Sequence, residues 1–172
     1  MAILTKDKIL EEIKKGNIKI KPFKKENVGP ASIDLTLGNT FRKFKAARQP
    51  FTIKEETEID KITEIITLKN KESLLVSPGE TVLGITREKI TLSPSICARL
   101  EGRSRFARMG LGVHITAGFI QPGISNQQVL EMTNHAPVPL LISPGLKLCQ
   151  FVFERCEGEA KYEGKFKEQK EP

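Results

Sequence analysis

GPASIDLTLG, residues 29–38, reads as a strand bounded by chain breakers. Gly29-Pro30 interrupts the chain, and Ile33, Leu35 and Leu37 then alternate with Ser32, Asp34 and Thr36 up to Gly38. That period of two is the signature of a half-buried β-strand. The same texture extends in both directions. Ile18-Lys19-Ile20 alternates before it, and apolar runs at 40–44, 64–68, 73–76, 81–85, 95–100, 111–116, 128–132, 138–142 and 146–153 follow, each bounded by Gly, Pro, Asn or Ser. One segment near the start differs: Thr5 stands as an N-cap, Asp7 lies in the first turn, and Ile9, Leu10 and Ile13 share a face before Gly16. Residues 45–63 are polar and unpatterned, an excursion between strands. The expected architecture is mainly β, a distorted antiparallel barrel or jelly roll with one N-terminal helix.

A chain of 172 residues buries roughly 70% of the surface its unfolded form exposes, so a single domain over 1–172 is expected. Ten prolines and thirteen glycines are spread along it rather than clustered, which suits many short strands. With no long apolar segment and no cleavable leader pattern, the protein is expected to be soluble, unexported and cytoplasmic, with no membrane partner. Cys97, Cys149 and Cys156 are odd in number and lack CxxC spacing, which points to free thiols. His114 and His135 have no second ligand at metal spacing, so no zinc site is legible. The net charge of +7 fits a polyanionic partner, a nucleotide phosphate tail included. A broad nucleic-acid surface is disfavoured, since one tyrosine and no tryptophan are available to stack on bases.

Chemistry concentrates in EGRSRFARMGLGVHITAGFIQPGISNQQVLE, residues 101–131. Arg103, Arg105 and Arg108 each carry a fork of donors that fits phosphate oxygens, although a solvated basic turn reads the same way. Ser104 has no histidine or lysine partner at a readable spacing and is better cast as a hydrogen-bonding positioner than as a nucleophile. Glu131 lies within VLEMTN, where alternation sets it on the face opposite Leu130; it is either an exposed strand residue or a base aimed into a cleft.

ASIDLTLG (31–38), EGRSRFARMGLGVHITAGFIQPG (101–123), VLEMTN (129–134), PGLKLCQFVFE (144–154) and YEGKFKEQ (162–169) together resemble the dCTP deaminases of the dUTPase-like superfamily. The resemblance runs in order over most of the chain. It implies a dUTPase-like β-clip barrel that assembles as a homotrimer with active sites at subunit interfaces. The implied activity is metal-free hydrolysis of dCTP to dUTP and ammonia, supplying dUTP for thymidylate synthesis, with dUTP or dTTP as product or inhibitor. Glu131 is then the general base, Ser104 and the Ala117 carbonyl hold the attacking water, and Arg108 supports the base. Arg103, Ser104, Arg105 and Arg108 fall on the phosphate side; Gln121, Val129 and Gln150 touch the nucleotide; Tyr162, Lys165 and Gln169 belong to a C-terminal flap over 158–172. Magnesium would arrive with the triphosphate rather than on protein side chains. Zinc deaminases instead carry H-x-E with P-C-x-x-C, which this chain lacks. Without zinc, a buried carboxylate of raised pKa is the expected means of activating water.

The chain departs from the family pattern at Gln121, where an aspartate is usual, at Asn126, where a glycine is common, at the polar pair Gln127-Gln128, and at Arg105, which replaces a frequent small hydroxyl residue and either adds a charge beside the phosphates or faces solvent. An amide at 121 accepts a hydrogen bond but takes no proton, which argues against a second, pyrophosphate-cleaving activity. Two other readings stay open. A dUTPase or a bifunctional deaminase and diphosphatase would share the fold, but the dUTPase reading calls for an aspartate at 121 and an apolar residue at 131. A non-catalytic nucleotide-binding relative is the other.

Overall fold

The structure is a computed structural model that describes residues 2–114, 116–164, 166–167 and 169–172. Helix α1 (Lys6–Lys15) opens it; Thr5 is extended at its N-cap and Gly16 ends it in a left-handed conformation, φ +80°. Ile9 is fully buried, and Leu10 and Ile13 pack against the core, as the helical spacing requires. Then come β1 (Ile18–Lys21), β2 (Ile33–Phe44), β3 (Thr63–Thr67), β4 (Leu74–Val76), β5 (Thr81–Leu92) and β6 (Ile96–Gly102). A short helix α2 (Ser104–Ala107) precedes β7 (Leu111–Val113), β8 (Phe119–Ile120), β9 (Ser125–Asn134), β10 (Leu140–Ile142) and β11 (Lys147–Arg155).

Among the described residues nine strands form one sheet, in the order β7-β9-β5-β2-β11-β6-β8, with β1 also on β5 and β3 also on β2. β4 and β10 make a separate pair, and the pairings are antiparallel. The sheet curls into a half-barrel around Ile33, Leu35, Leu37, Phe41, Leu130, Phe151 and Phe153, all within 1% of complete burial. Phe151 and Phe153 meet edge to face, centroids 5.9 Å apart. Glu12 on the inner side of α1 receives Arg155 Nη2 at 2.7 Å and Asn17 Nδ2 at 2.6 Å, so the helix is bolted to the end of β11 by a satisfied buried charge.

The expected mainly β, barrel-like architecture is observed. Its boundaries shift for identifiable reasons. The runs at 32–37 and 40–44 are one strand, β2, because Gly38 lets it approach β5; a Cβ there would sit 2.9 Å from the Ile85 carbonyl oxygen. The run at 111–116 stops at Val113, because His114 turns into the left-handed region at φ 54°. Helix α2 and strand β8 were not legible, each being too short to show a period. The stretch 45–63 holds a 3-10 turn at Ile59–Lys61 and ends on Thr63, the first residue of β3. Opposite β9, β5 bulges between Ile85 and Lys89; there the Gln128 N–H donates to Thr86 Oγ1 at 2.9 Å, and Gln127 Nε2 donates to the Thr86 carbonyl at 2.7 Å. All three cysteines are free, and burial pushes the Cys97 thiol up to about 11.

Gly38→Ala should force β2 away from β5 and destabilise the fold by about 1–3 kcal/mol in urea denaturation. An unchanged midpoint would show that the strands do not need that approach.

Candidate active site

β9 is buried at every second residue, with Leu130 and Met132 fully inside. Glu131 therefore points to the other face, opposite Leu83 on β5. It enters a cleft of about 690 Å³ whose walls include Leu83, Phe119, Ile124, Gln121, Val129 and Tyr162. Phe44, Thr57 and Ile59 close another side, so the excursion after β2 contributes a wall.

The turn at His114 folds its ring back onto Glu131. The His114 backbone N–H donates to the Glu131 carbonyl at 2.8 Å, and Nδ1 lies 2.5 Å from Glu131 Oε2. The other ring nitrogen, Nε2, is 3.0 Å from the Ala117 carbonyl oxygen. With an oxygen acceptor at each nitrogen, the ring is suited to carry both protons. Burial pushes the Glu131 carboxyl up, but the hydrogen bond and charge of His114 outweigh it and hold the group below the usual carboxylate value. Burial likewise lowers His114, and Glu131 more than reverses that, raising it. The raised carboxyl value expected from sequence is thus corrected, because the His114 ring meets the carboxylate and lowers it more than burial raises it. The Glu131 side chain stays 39% exposed, enough for it to meet a ligand in the cleft.

The tail closes over this face. The Tyr162 N–H donates to Pro122 O at 3.0 Å, Ser125 N–H to Lys167 O at 3.2 Å, and Gln127 N–H to Gln169 O at 3.1 Å. Asn126 Nδ2 adds a bond of 2.6 Å to Phe166 O, and Gln128 Nε2 donates to Asn126 Oδ1. The unusual polarity of 126–128 is thereby explained: these side chains dock the tail and the β5 bulge. Gly123, at φ +76°, permits the crossing, since a Cβ there would stand 3.0 Å from Lys161 Cα.

Glu131, Ala117, Gln121, Val129, Tyr162 and Gln169 all line the cleft. Arg103, Ser104, Arg105, Arg108 and Gln150 do not. Arg103 Nη2 instead lies 3.2 Å from Asp34 Oδ2, and its Nη1 donates to Lys147 O at 2.8 Å. Ser104 is exposed at the start of α2, its carbonyl accepting the Arg108 N–H at 3.0 Å. Arg105 and Arg108 are exposed and make no ion pair among the described residues. Gln150 Oε1 accepts from Ser32 Oγ at 2.7 Å across β11 and β2. Lys165 lies outside the described residues. His114 was missed as a site residue, because its pairing with Glu131 depends on the β7–β9 register, which no local pattern announces. Among the described residues no group of three or more His, Cys, Asp or Glu could hold a metal.

The model of a family described as dCTP deaminase-like matches residues 3–156. A protein of Methanobrevibacter smithii named "dCTP deaminase, dUMP-forming" is 37% identical over 156 residues, 90% of this chain and 80% of that one. The solved 2′-deoxycytidine 5′-triphosphate deaminase of Agrobacterium tumefaciens superposes with a TM-score of 0.67 at 19% identity, over 88% of this chain; the match spans only 47% of that longer protein. A dUTPase of Staphylococcus bacteriophage 80alpha superposes at 0.52 and 11% identity, over 86% of this chain and 90% of that one. Both solved structures share the fold.

The His114 contribution to the ion pair is complete below the ordinary imidazole value of 6.5 and is lost as pH rises through the raised folded value. The Glu131 contribution is complete above 4.5 and is lost as pH falls through the lowered folded value. The pair is therefore intact between those limits and persists somewhat beyond each. His114→Ala should move the Glu131 carboxyl titration upward in carbon-detected NMR. No movement would mean that the imidazole exerts no hold on it.

Proposed function

The chain belongs to the dCTP deaminase-like family, and from that membership we propose that it is a hydrolase converting dCTP to dUTP and ammonia, with Glu131 as general base. The observation that carries this reading is Glu131 itself, the only carboxylate among the described residues lining the cleft. Glu131 takes a proton from water as the oxygen attacks C4 of the cytosine, passes it to the ring, and the second water proton leaves with the departing ammonia. In the free chain Oε2 is occupied by His114, so Glu131 acts as a base when the water and ring bring their own hydrogen bonds to the carboxylate. Gln121, Val129 and Tyr162 hold the nucleoside, and Lys165 and Gln169 on the 158–172 flap close over it.

The cleft contains no lysine or arginine among its described lining residues, whereas a triphosphate demands several positive donors. Exposed Arg105 and Arg108 on the α2 segment are such donors without a local anion. This supports a homotrimer in which Ser104 and Arg108, with Arg103 once released from Asp34, complete the cleft of a neighbouring copy. Gln150, tied to Ser32 on another face, belongs with that second copy's contribution. Magnesium fits as a companion of the triphosphate: it wants oxygen ligands, and apart from Glu131 the cleft offers amides and carbonyls rather than a carboxylate cage. Bound there, it would neutralise phosphate charge.

The Methanobrevibacter relative's name gives dUMP as product. Direct cleavage to dUMP requires a second activated water near the α-phosphate, and Gln121 cannot take its proton. We therefore propose dUTP as the product released, with dUMP formation as the second reading that the relative's name favours.

With dCTP and magnesium, chromatography should show dUTP and ammonia accumulating together, and Glu131→Gln should lower turnover at least ~100-fold while leaving nucleotide binding in place. Accumulation of dUMP and pyrophosphate instead would overturn the reading of Gln121. Mixing subunits that carry Glu131→Gln with subunits that carry Arg108→Ala, each inactive alone, should restore part of the activity after co-refolding. A mixture that stays inactive would place the complete site within one chain.

A further inference from the structure

Arg42 is a buried cation, 7% exposed, on the strand next to β5. It opposes Leu83, which in turn opposes Glu131, so the three side chains share the cleft face in one row across β2, β5 and β9. Two strand spacings, about 10 Å, separate Arg42 from Glu131 along that row. Its guanidinium serves three acceptors from different parts of the chain. Nε donates to the carbonyl oxygen of Pro172, and Nη1 donates to the Asp60 carboxylate and, at 3.2 Å, to Thr63 Oγ1. Pro172 is itself buried and lines the cleft, as do Phe44, Thr57 and Ile59 beside it.

We infer that Arg42 is a positioning residue, a latch that holds the far end of the tail to the 57–63 segment and so keeps the cleft closed from both sides. A flat fork of fixed donors can meet a carboxylate, a hydroxyl and a carbonyl at once, which an ammonium on a flexible stem does poorly. Nearer the front of the tail, closure rests on neutral bonds, from the Ser125, Gln127 and Tyr162 backbone N–H groups and the Asn126 side-chain amide. The charge-assisted bond at Pro172 is the stronger fastening, so its loss should loosen the tail most. The kinetic consequence rests on the deaminase reading; the mechanical one does not.

Hydrogen exchange at the Ser125 and Gln127 amides reads the docked tail directly, because both donate to tail carbonyls. The Gln128 amide, bonded to Thr86 Oγ1, reports the sheet alone. Arg42→Leu, and separately a chain ending at Gln169 with Arg42 intact, should each exchange at least ~tenfold faster at 125 and 127 with Gln128 unchanged. Arg42→Lys should rescue only part of that protection. KM for dCTP should rise about tenfold in both latch variants while kcat stays within about threefold, since Glu131 is untouched. Wild-type exchange at 125 and 127 in the chain ending at Gln169 would overturn the latch. Should Arg42→Leu loosen Gln128 as well, the shortened chain decides. Faster exchange in a protein whose wild type does not turn over dCTP would sink the deaminase reading and leave the latch standing.

Discussion

Glu131 reaches the cleft only because β9 pairs with β5 in the register that sets Leu83 against Glu131 and Gly84 against Leu130. Side chains alternate strictly along a strand, so a slip of one residue would carry Leu130 and Met132 into water and drive the carboxylate into the apolar interior. Either error costs several kcal/mol: two large aliphatic side chains lose their burial, or an unpaired charge gains it. The register that builds the core is therefore the one that aims the Glu131 carboxylate into the cleft. Everything near the cleft is hung on the same strand: His114 bonds to the Glu131 carbonyl, the β5 bulge caps Gln128, and the tail uses the amides of Ser125 and Gln127.

The β pattern was legible because alternation is local. Ile33, Leu35 and Leu37 announce β2, and Leu130 and Met132 announce β9, without reference to any other part of the chain. What stayed hidden depended on distant segments. Gly38 reads as a strand end and proves to be a point of close approach, since the Ile85 carbonyl that requires it lies 47 residues away in sequence. His114 reads as a lone histidine and proves to be the partner of Glu131, a contact created by strand pairing. Its effect reverses the expected sign of the carboxyl shift, because desolvation can be anticipated from burial but an imidazole brought up by strand pairing cannot. Asn126 and Gln128 look out of place in a strand until the tail is seen to need their amides.

Charge is divided in a way that sequence proximity conceals. The arginines of 103–108 stand within thirty residues of Glu131, yet none lines the cleft that holds it. Arg103 is pinned by Asp34 and the Lys147 carbonyl, while Arg105 and Arg108 ride exposed on a single helical turn. Within the chain the arginine cluster and Glu131 therefore stand apart, and no described lysine or arginine lines the cleft beside the carboxylate. His114 is the basic group that does meet the carboxylate, and an imidazole can give up its proton where a guanidinium cannot.

The tail also matters to solubility. From 125 to 127 β9 would otherwise present unsatisfied amides along an open margin, and Lys167 and Gln169 occupy them as an added strand does. Whenever that cover lifts, the molecule bears a sticky ribbon of backbone donors flanked by Phe119 and Phe166, both about half exposed even when covered. Brief opening is then harmless while prolonged opening invites strand exchange between molecules, so the fold has reason to favour a cover that returns quickly.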